Sequence, residues 1–130
     1  MTSEIVLDAS ALLAMIREEP GGEAVAAAIG RARMSTVNFA EVVSYLTYAG
    51  LPADQVDAML IQLPMRVFDA DLELARSAGR LRRTTAEAGL SLGDRFCLAL
   101  GARDRLPVWT ADRQWRTIAD KLDVEIVLIR

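Results

Sequence analysis

Apolar residues along this chain gather into short runs, IVL at 5–7, the stretch around Met34, RVF at 66–68, PVW at 107–109 and EIVLI at 125–129. Each is too short for a buried helix and is bounded by polar or turn-forming neighbours, so each is predicted to be a strand: 5–7, 34–36, 66–68, 107–109 and 125–129. Between them the apolar positions recur with a helical period. Helices are predicted over 10–17, stopped by Pro20; 22–29; 38–48, stopped by Gly50; 53–62; 71–84, stopped by Gly89; 92–103; and 112–121. In the third, Phe39, Val42, Val43 and Leu46 fall at i, i+3, i+4 and i+7 and form one stripe. Strands alternating with helices predict an α/β fold: a central, mostly parallel sheet of about five strands flanked by helices. No internal repeat and no linker interrupts the pattern, and a chain of 130 residues is expected to form one domain over 1–130.

Composition narrows the chemistry more than the fold. Hydrophobic residues make up 52% of the chain and charged residues 25%, a globular balance without low-complexity segments. The apolar run FCLALGA is too short to span a bilayer, and the N-terminus carries neither a basic region nor a long apolar stretch, so the protein is expected in the cytoplasm without membrane association. The lone cysteine, Cys97, excludes an internal disulfide and reads as a packed thiol. There is no histidine. Imidazole-based zinc sites and Ser-His-Asp or Cys-His nucleophiles are thereby excluded, which leaves carboxylates as the main groups for acid, base or metal chemistry. A net charge of -3 argues neither for nor against a polyanionic partner.

Four acids stand where predicted strands hand over to helices: Asp8 after IVL, Glu41 in STVNFAEV, Asp94 in SLGDRF and Asp112 in VWTADRQW. Each has a capping explanation. Asp8 and Asp112 could cap the helices that follow, and Asn38-x-x-Glu41 and Ser91-x-x-Asp94 both have capping-box spacing. Topology adds a second explanation. In a parallel sheet the carboxyl ends of the strands and the N-termini of the following helices share one edge, so all four acids are expected in one crevice. Capping gives no reason to concentrate them, and their mutual repulsion should raise at least one carboxyl pKa. Asp94 is the sharpest case, because it heads a helix that runs uncharged from Phe96 to Ala102 and Arg95 points about 100° away from it. Hard divalent cations such as Mg2+ or Mn2+ suit an all-oxygen ligand set. The hydroxyls of Ser10, Thr36 and Thr110 lie beside the same junctions and are expected to orient metal-bound water.

With those residues in place the chain resembles the PIN-domain nucleases, and most closely the VapC-like toxins of bacterial toxin-antitoxin pairs. The resemblance runs through VLDASALLA, STVNFAEV, GLSLGDRFCLALG and VWTADRQW to the final EIVLI, in order. It implies a PIN-like three-layer sandwich and a metal-dependent endoribonuclease, using Mg2+ or Mn2+ to hydrolyse RNA phosphodiester bonds. It implies that Asp8, Glu41, Asp94 and Asp112 are the metal-binding and catalytic quartet, supported by Ser10 and Thr110. It also implies a homodimer held inactive by a VapB-like antitoxin. Asn38 stands where small or apolar residues are also common in that family, and its role is open.

RNA approaching an acidic pocket needs cations at the rim. Arg95, Arg113 and Arg116 adjoin the acids in sequence and are the preferred RNA-binding candidates, ahead of Arg80, Arg82, Arg83, Arg103 and Arg105, which read mainly as solvated charge. Three other readings compete. A hydrolase forming an aspartyl-phosphate would need a DxD motif where this chain has Asp8-Ala9-Ser10, and a receiver-like signalling domain would need a late lysine where the only one is Lys121. A stand-alone RNA-processing nuclease would share the same fold and site.

Overall fold

The computed structural model describes residues 3–130. Five strands, β1 (Ile5–Leu7), β2 (Ala32–Ser35), β3 (Arg66–Phe68), β4 (Val108–Thr110) and β5 (Ile126–Leu128), form one sheet in the order β3-β2-β1-β4-β5. Every pairing is parallel, with Ile5 opposite Ala32 and Val6 opposite Val108. Seven α-helices complete the described chain: α1 (Ala9–Ile16), α2 (Gly22–Ala28), α3 (Thr36–Tyr48), α4 (Ala53–Ile61), α5 (Leu72–Arg80), α6 (Arg82–Thr85) and α7 (Leu92–Asp104). Two 3-10 segments, Ile29–Arg31 and Arg113–Lys121, join them.

The three-residue strand β1 explains the layers. Successive side chains of a strand point to opposite faces. Ile5 and Leu7 enter one core with Leu12, Val25, Met34, Val42 and Val56, while Val6 enters the other with Leu74, Leu98, Leu100, Val108 and Trp115. All three are buried because helices cover both faces, which is why the strand reads as an uninterrupted apolar run. Helix α7 is buried along most of its length, as its apolar sequence predicts. It lies so close to the sheet at Gly101 that a Cβ there would stand 2.4 Å from a methyl of Val108. Cys97 is among its buried residues, a packed thiol.

The predicted elements are all present, with shifted ends and two changes of kind. Thr36, expected at the end of a strand, opens α3, because Ser35 is the residue whose hydroxyl accepts from the Asn38 N–H and caps that helix. Asn38 and Glu41 therefore lie in the first and second turns of α3, and the capping box their spacing suggested does not form. The predicted helix 71–84 breaks at Leu81 into α5 and α6, just past Gly79, a poor helix former. The predicted helix 112–121 is instead the 3-10 segment Arg113–Lys121, in which Trp115 and Ile118, three apart, are both buried. A period of three places them on one face. Among the described residues no helix is long and apolar enough to cross a membrane.

Candidate active site

The carboxyl edge of the sheet collects the four acids. Asp8 follows β1 and caps α1, its Oδ1 accepting from the Ala11 N–H at 2.8 Å. Asp112 follows β4 and caps the 3-10 segment through the Gln114 N–H at 2.9 Å. Asp94 lies in the first turn of α7 and closes a true capping box, accepting from the Ser91 N–H at 2.8 Å while the Ser91 hydroxyl accepts from its own N–H. Glu41 projects from the second turn of α3 against the start of α7, so close that a Cβ on Gly93 would stand 2.2 Å from its Oε2. Three of the acids thus cap helices and share the edge as well, so capping and clustering are not alternatives.

Their electrostatics reflect burial first and mutual charge second. Asp8 is 3% exposed. Burial pushes its carboxyl up to about 7, against hydrogen bonds from Thr110, Ala11 and Ser10, and the charge of Asp94 adds to the rise. Glu41 is raised first by burial and then by Asp94, with Asn38 opposing. Asp94 is raised by burial and, less, by Asp112, with the Ser91 bonds and Arg95 opposing. Repulsion therefore acts in the predicted direction, but desolvation is the larger cause. Cys97 lies beneath the group, its thiol pushed up by burial and then by Asp8, Asp94 and Glu41.

The supporting hydroxyls divide. Ser10 donates to Asp8 and accepts from the Ala111 N–H; Thr110 donates to Asp8 and accepts from the Asp112 N–H. The backbone of the β4 loop thereby orients both hydroxyl protons onto one carboxylate. They hold Asp8 itself, where the sequence suggested that they hold water. Thr36 is placed otherwise, accepting from the Ala70 N–H and tying the segment after β3 to α3. Arg95 donates to Thr85 and to the Leu90 carbonyl, which commits its guanidinium to the loop before α7. Arg113 and Arg116 are exposed beside Asp112. Arg80, Arg82 and Arg83 are also exposed, and Arg103 and Arg105 lie at the far end of α7, away from the acids.

Two residues of the site were not assigned to it by the sequence reading, which offered Asn38 only as a helix cap. Asn38, whose role was open, is fully buried and joins Glu41 to α7; Gly93 gives Glu41 its room. A glycine one residue before an acid in the first turn of a helix was the available signal, since glycine there costs about 1 kcal/mol relative to alanine and calls for a packing reason.

The donor set can be tested against a divalent ion. All four groups supply hard oxygens, and among the described residues none of the four makes an ion pair. Glu41, Asp94 and Asp112 each commit one oxygen to the hydrogen bonds above, which leaves the second available. Among the described residues no three His, Cys, Asp or Glu side chains converge tightly enough to enclose an ion by themselves. Mg2+ commonly keeps several waters and takes one or two carboxylates directly, so it does not require such a cluster.

The PIN domain family model matches residues 5–121. Among solved structures, the chain is similar to a member of the VapBC family of toxin-antitoxin systems, VapBC-5 from Mycobacterium tuberculosis, at 28% identity over 98% of this chain and 99% of that one, with a TM-score of 0.69. It shares its fold with a toxin-antitoxin complex from Klebsiella pneumoniae (18% identity, 98% of each chain, TM-score 0.73). The same holds for VapC20 of Mycobacterium tuberculosis, a sarcin-ricin loop cleaving toxin (15% identity, 88% of this chain and 94% of that one, TM-score 0.71). Comparison of the sequence with curated proteins found no match.

Proposed function

The chain belongs to the PIN domain family, and we propose that it is a Mg2+- or Mn2+-dependent endoribonuclease, the toxin of a VapBC-type pair, acting in the cytoplasm as one domain over residues 1–130. The observation that carries this reading is the set of four carboxylates, three of them with raised pKa values, that face one edge of the sheet with none in an ion pair among the described residues. The 28% identity to a VapBC toxin-antitoxin member of equal length supports the toxin role over a stand-alone processing nuclease.

Asp8, Glu41, Asp94 and Asp112 would hold the ion. When bound, a divalent ion lowers the pKa of water and offsets the charge on the phosphoryl group. The residues of the chain prepare that chemistry. Ser10 and Thr110, fixed by the Ala111 and Asp112 amides, keep Asp8 in one orientation. Burial keeps the carboxylates poorly solvated, so a cation in the pocket gains more than it would from the same groups in water. Arg113 and Arg116 stand at the rim, where phosphates approach. A cognate antitoxin segment offering a basic side chain would satisfy the same acids and block the site. The exposed Tyr48 on α3 and Ile61 on α4 mark apolar surface suited to a homodimer or to that antitoxin.

The experiment is induction of the protein without a partner, followed by mapping of new RNA ends, alongside purified protein with RNA and Mn2+. Discrete new ends, lost with EDTA, are expected. A folded, metal-saturated protein that leaves all RNA intact would overturn the reading.

A further inference from the structure

We propose that Asn38 is a positioning residue that fixes the Glu41 carboxylate against α7, and that Gly93 is the other half of the same device. This rests on the reading above for its catalytic consequence, though not for its geometry. Asn38 is 0% exposed in the first turn of α3. A buried primary amide has two N–H donors and one carbonyl acceptor to satisfy. Here all are used: the carbonyl accepts from the Ser35 hydroxyl at 2.7 Å, one N–H donates to Glu41 Oε1 at 2.8 Å, and the other donates to the Gly93 carbonyl at 2.9 Å. The Ser35 proton decides the orientation of the amide, because it needs the oxygen on its side and so turns both N–H groups toward Glu41 and α7.

The consequence is a link between two helices that are joined to different strands. Glu41 belongs to α3 and Asp94 to α7, and the charge of Asp94 acts on the Glu41 carboxyl. One amide holds the Glu41 carboxylate with one hydrogen and the peptide immediately before Asp94 with the other. Relative position of the two acids is then set by a single planar group. Gly93 completes the fit, since its missing Cβ is the space the Glu41 carboxylate fills. Asn38 takes only Oε1 of Glu41, so Oε2, which lies against Gly93, is left without a hydrogen bond among the described residues. An arginine in its place would have neutralised the acid; an amide orients it and leaves its charge available.

A double-mutant cycle on the purified full chain tests this, read by Mn2+ affinity and by RNA cleavage. Outer-shell partners of metal ligands typically contribute 10- to 100-fold in affinity or activity. Asn38→Ala is expected to weaken Mn2+ binding about tenfold and to lower kcat for RNA by a similar factor, with KM little changed. In a Glu41→Ala background the same change should have almost no further effect on Mn2+ affinity. Gly93→Ala provides a second variant if Asn38→Ala does not fold: it should weaken Mn2+ binding with Glu41 present and be harmless with Glu41→Ala. Equal loss with and without Glu41, for whichever variants fold, would mean that they act through general packing and would overturn the proposal. Coupling in Mn2+ affinity from a protein that cleaves no RNA would leave the positioning role standing and remove the ribonuclease reading instead.

Discussion

At the amino-terminal edge of the sheet Arg33 reaches both Glu4 and Asp104, Arg66 joins Glu4, and Arg103 joins Asp104 at 2.8 Å, whereas at the carboxyl edge Asp8, Glu41, Asp94 and Asp112 gather without one such partner among the described residues. The guanidinium groups of Arg33, Arg66 and Arg103 also lie 5.0, 5.1 and 5.7 Å from the Phe68 ring centre, close enough for cation–π attraction to ease their own repulsion. Burial works to raise Asp104, but Arg103 and Arg33 outweigh it and hold the carboxyl below its usual value. Burial works in the same direction at Asp8 and meets no guanidinium, so the carboxyl rises to about 7. At one edge the charge balance is closed within the chain. At the other, among the described residues, it is left open.

The widest separation between the two edges should appear in catalysis. Asp94→Asn replaces a charged oxygen by an amide whose remaining oxygen can still accept from the Ser91 N–H, so the fold should persist. Cleavage should fall on the order of 100-fold or more, beyond the range of outer-shell changes. Asp104→Asn, the matching change at the other edge, should leave the cleavage rate of the folded protein unaltered. RNA cleavage assays with circular dichroism on both variants make the comparison, and equal losses would erase it.

Stability against pH should separate the edges next. A carboxyl with a raised folded pKa destabilises the protein above that value, and the cost fades as pH falls through it, because the folded state then binds the proton more tightly than the unfolded chain. In EDTA the protein should therefore gain stability between about pH 8 and pH 5, by up to about 1.4 kcal/mol for each pH unit that Asp8 governs. Asp104 has the opposite sign: its contribution is present above the ordinary carboxyl value and is lost only as pH falls below that. Asp8→Asn keeps a capping oxygen for Ala11 and removes the charge but turns its NH2 toward the Ser10 and Thr110 hydroxyls, so its expected mark is a flattened profile between pH 8 and pH 5 in EDTA, whatever its absolute stability. A variant whose stability keeps the parent's dependence on pH would show that Asp8 is not the group that governs it.

A smaller effect is expected from opening the closed edge. Arg33→Ala leaves Glu4 and Asp104 with less compensation, and because these groups are partly solvated the loss should be about 1–2 kcal/mol. Denaturant unfolding measures it, and Mn2+ affinity, a property of the other edge, should not move.

Much of this organisation is written in the linear chain. Runs such as IVL have to be buried strands because no other short element hides three consecutive apolar residues on two faces, and the placement of Asp8, Glu41, Asp94 and Asp112 at strand-to-helix junctions follows from local pattern plus the geometry of parallel sheets. The end of β2 was misplaced because Ser35 and Thr36 are both plausible caps, and the choice depends on which hydroxyl finds the Asn38 amide in the core. The 3-10 character of Arg113–Lys121 depends on which face Trp115 and Ile118 can bury, a property of the assembled layers. Asn38 and Gly93 could not be joined from the sequence at all, since 55 positions separate them and their meeting requires α3 and α7 to be packed. Thr36 and Arg95 show the converse: Arg95 adjoins Asp94 and Thr36 follows the end of β2 beside the site, yet their polar atoms are taken by Ala70, Thr85 and Leu90. Local pattern determined which residues could carry charge to the edge, because periodicity and capping act over a few residues. The tertiary structure decided which of those charges would be neutralised and which held in place, because desolvation and hydrogen bonding depend on neighbours that are distant along the chain.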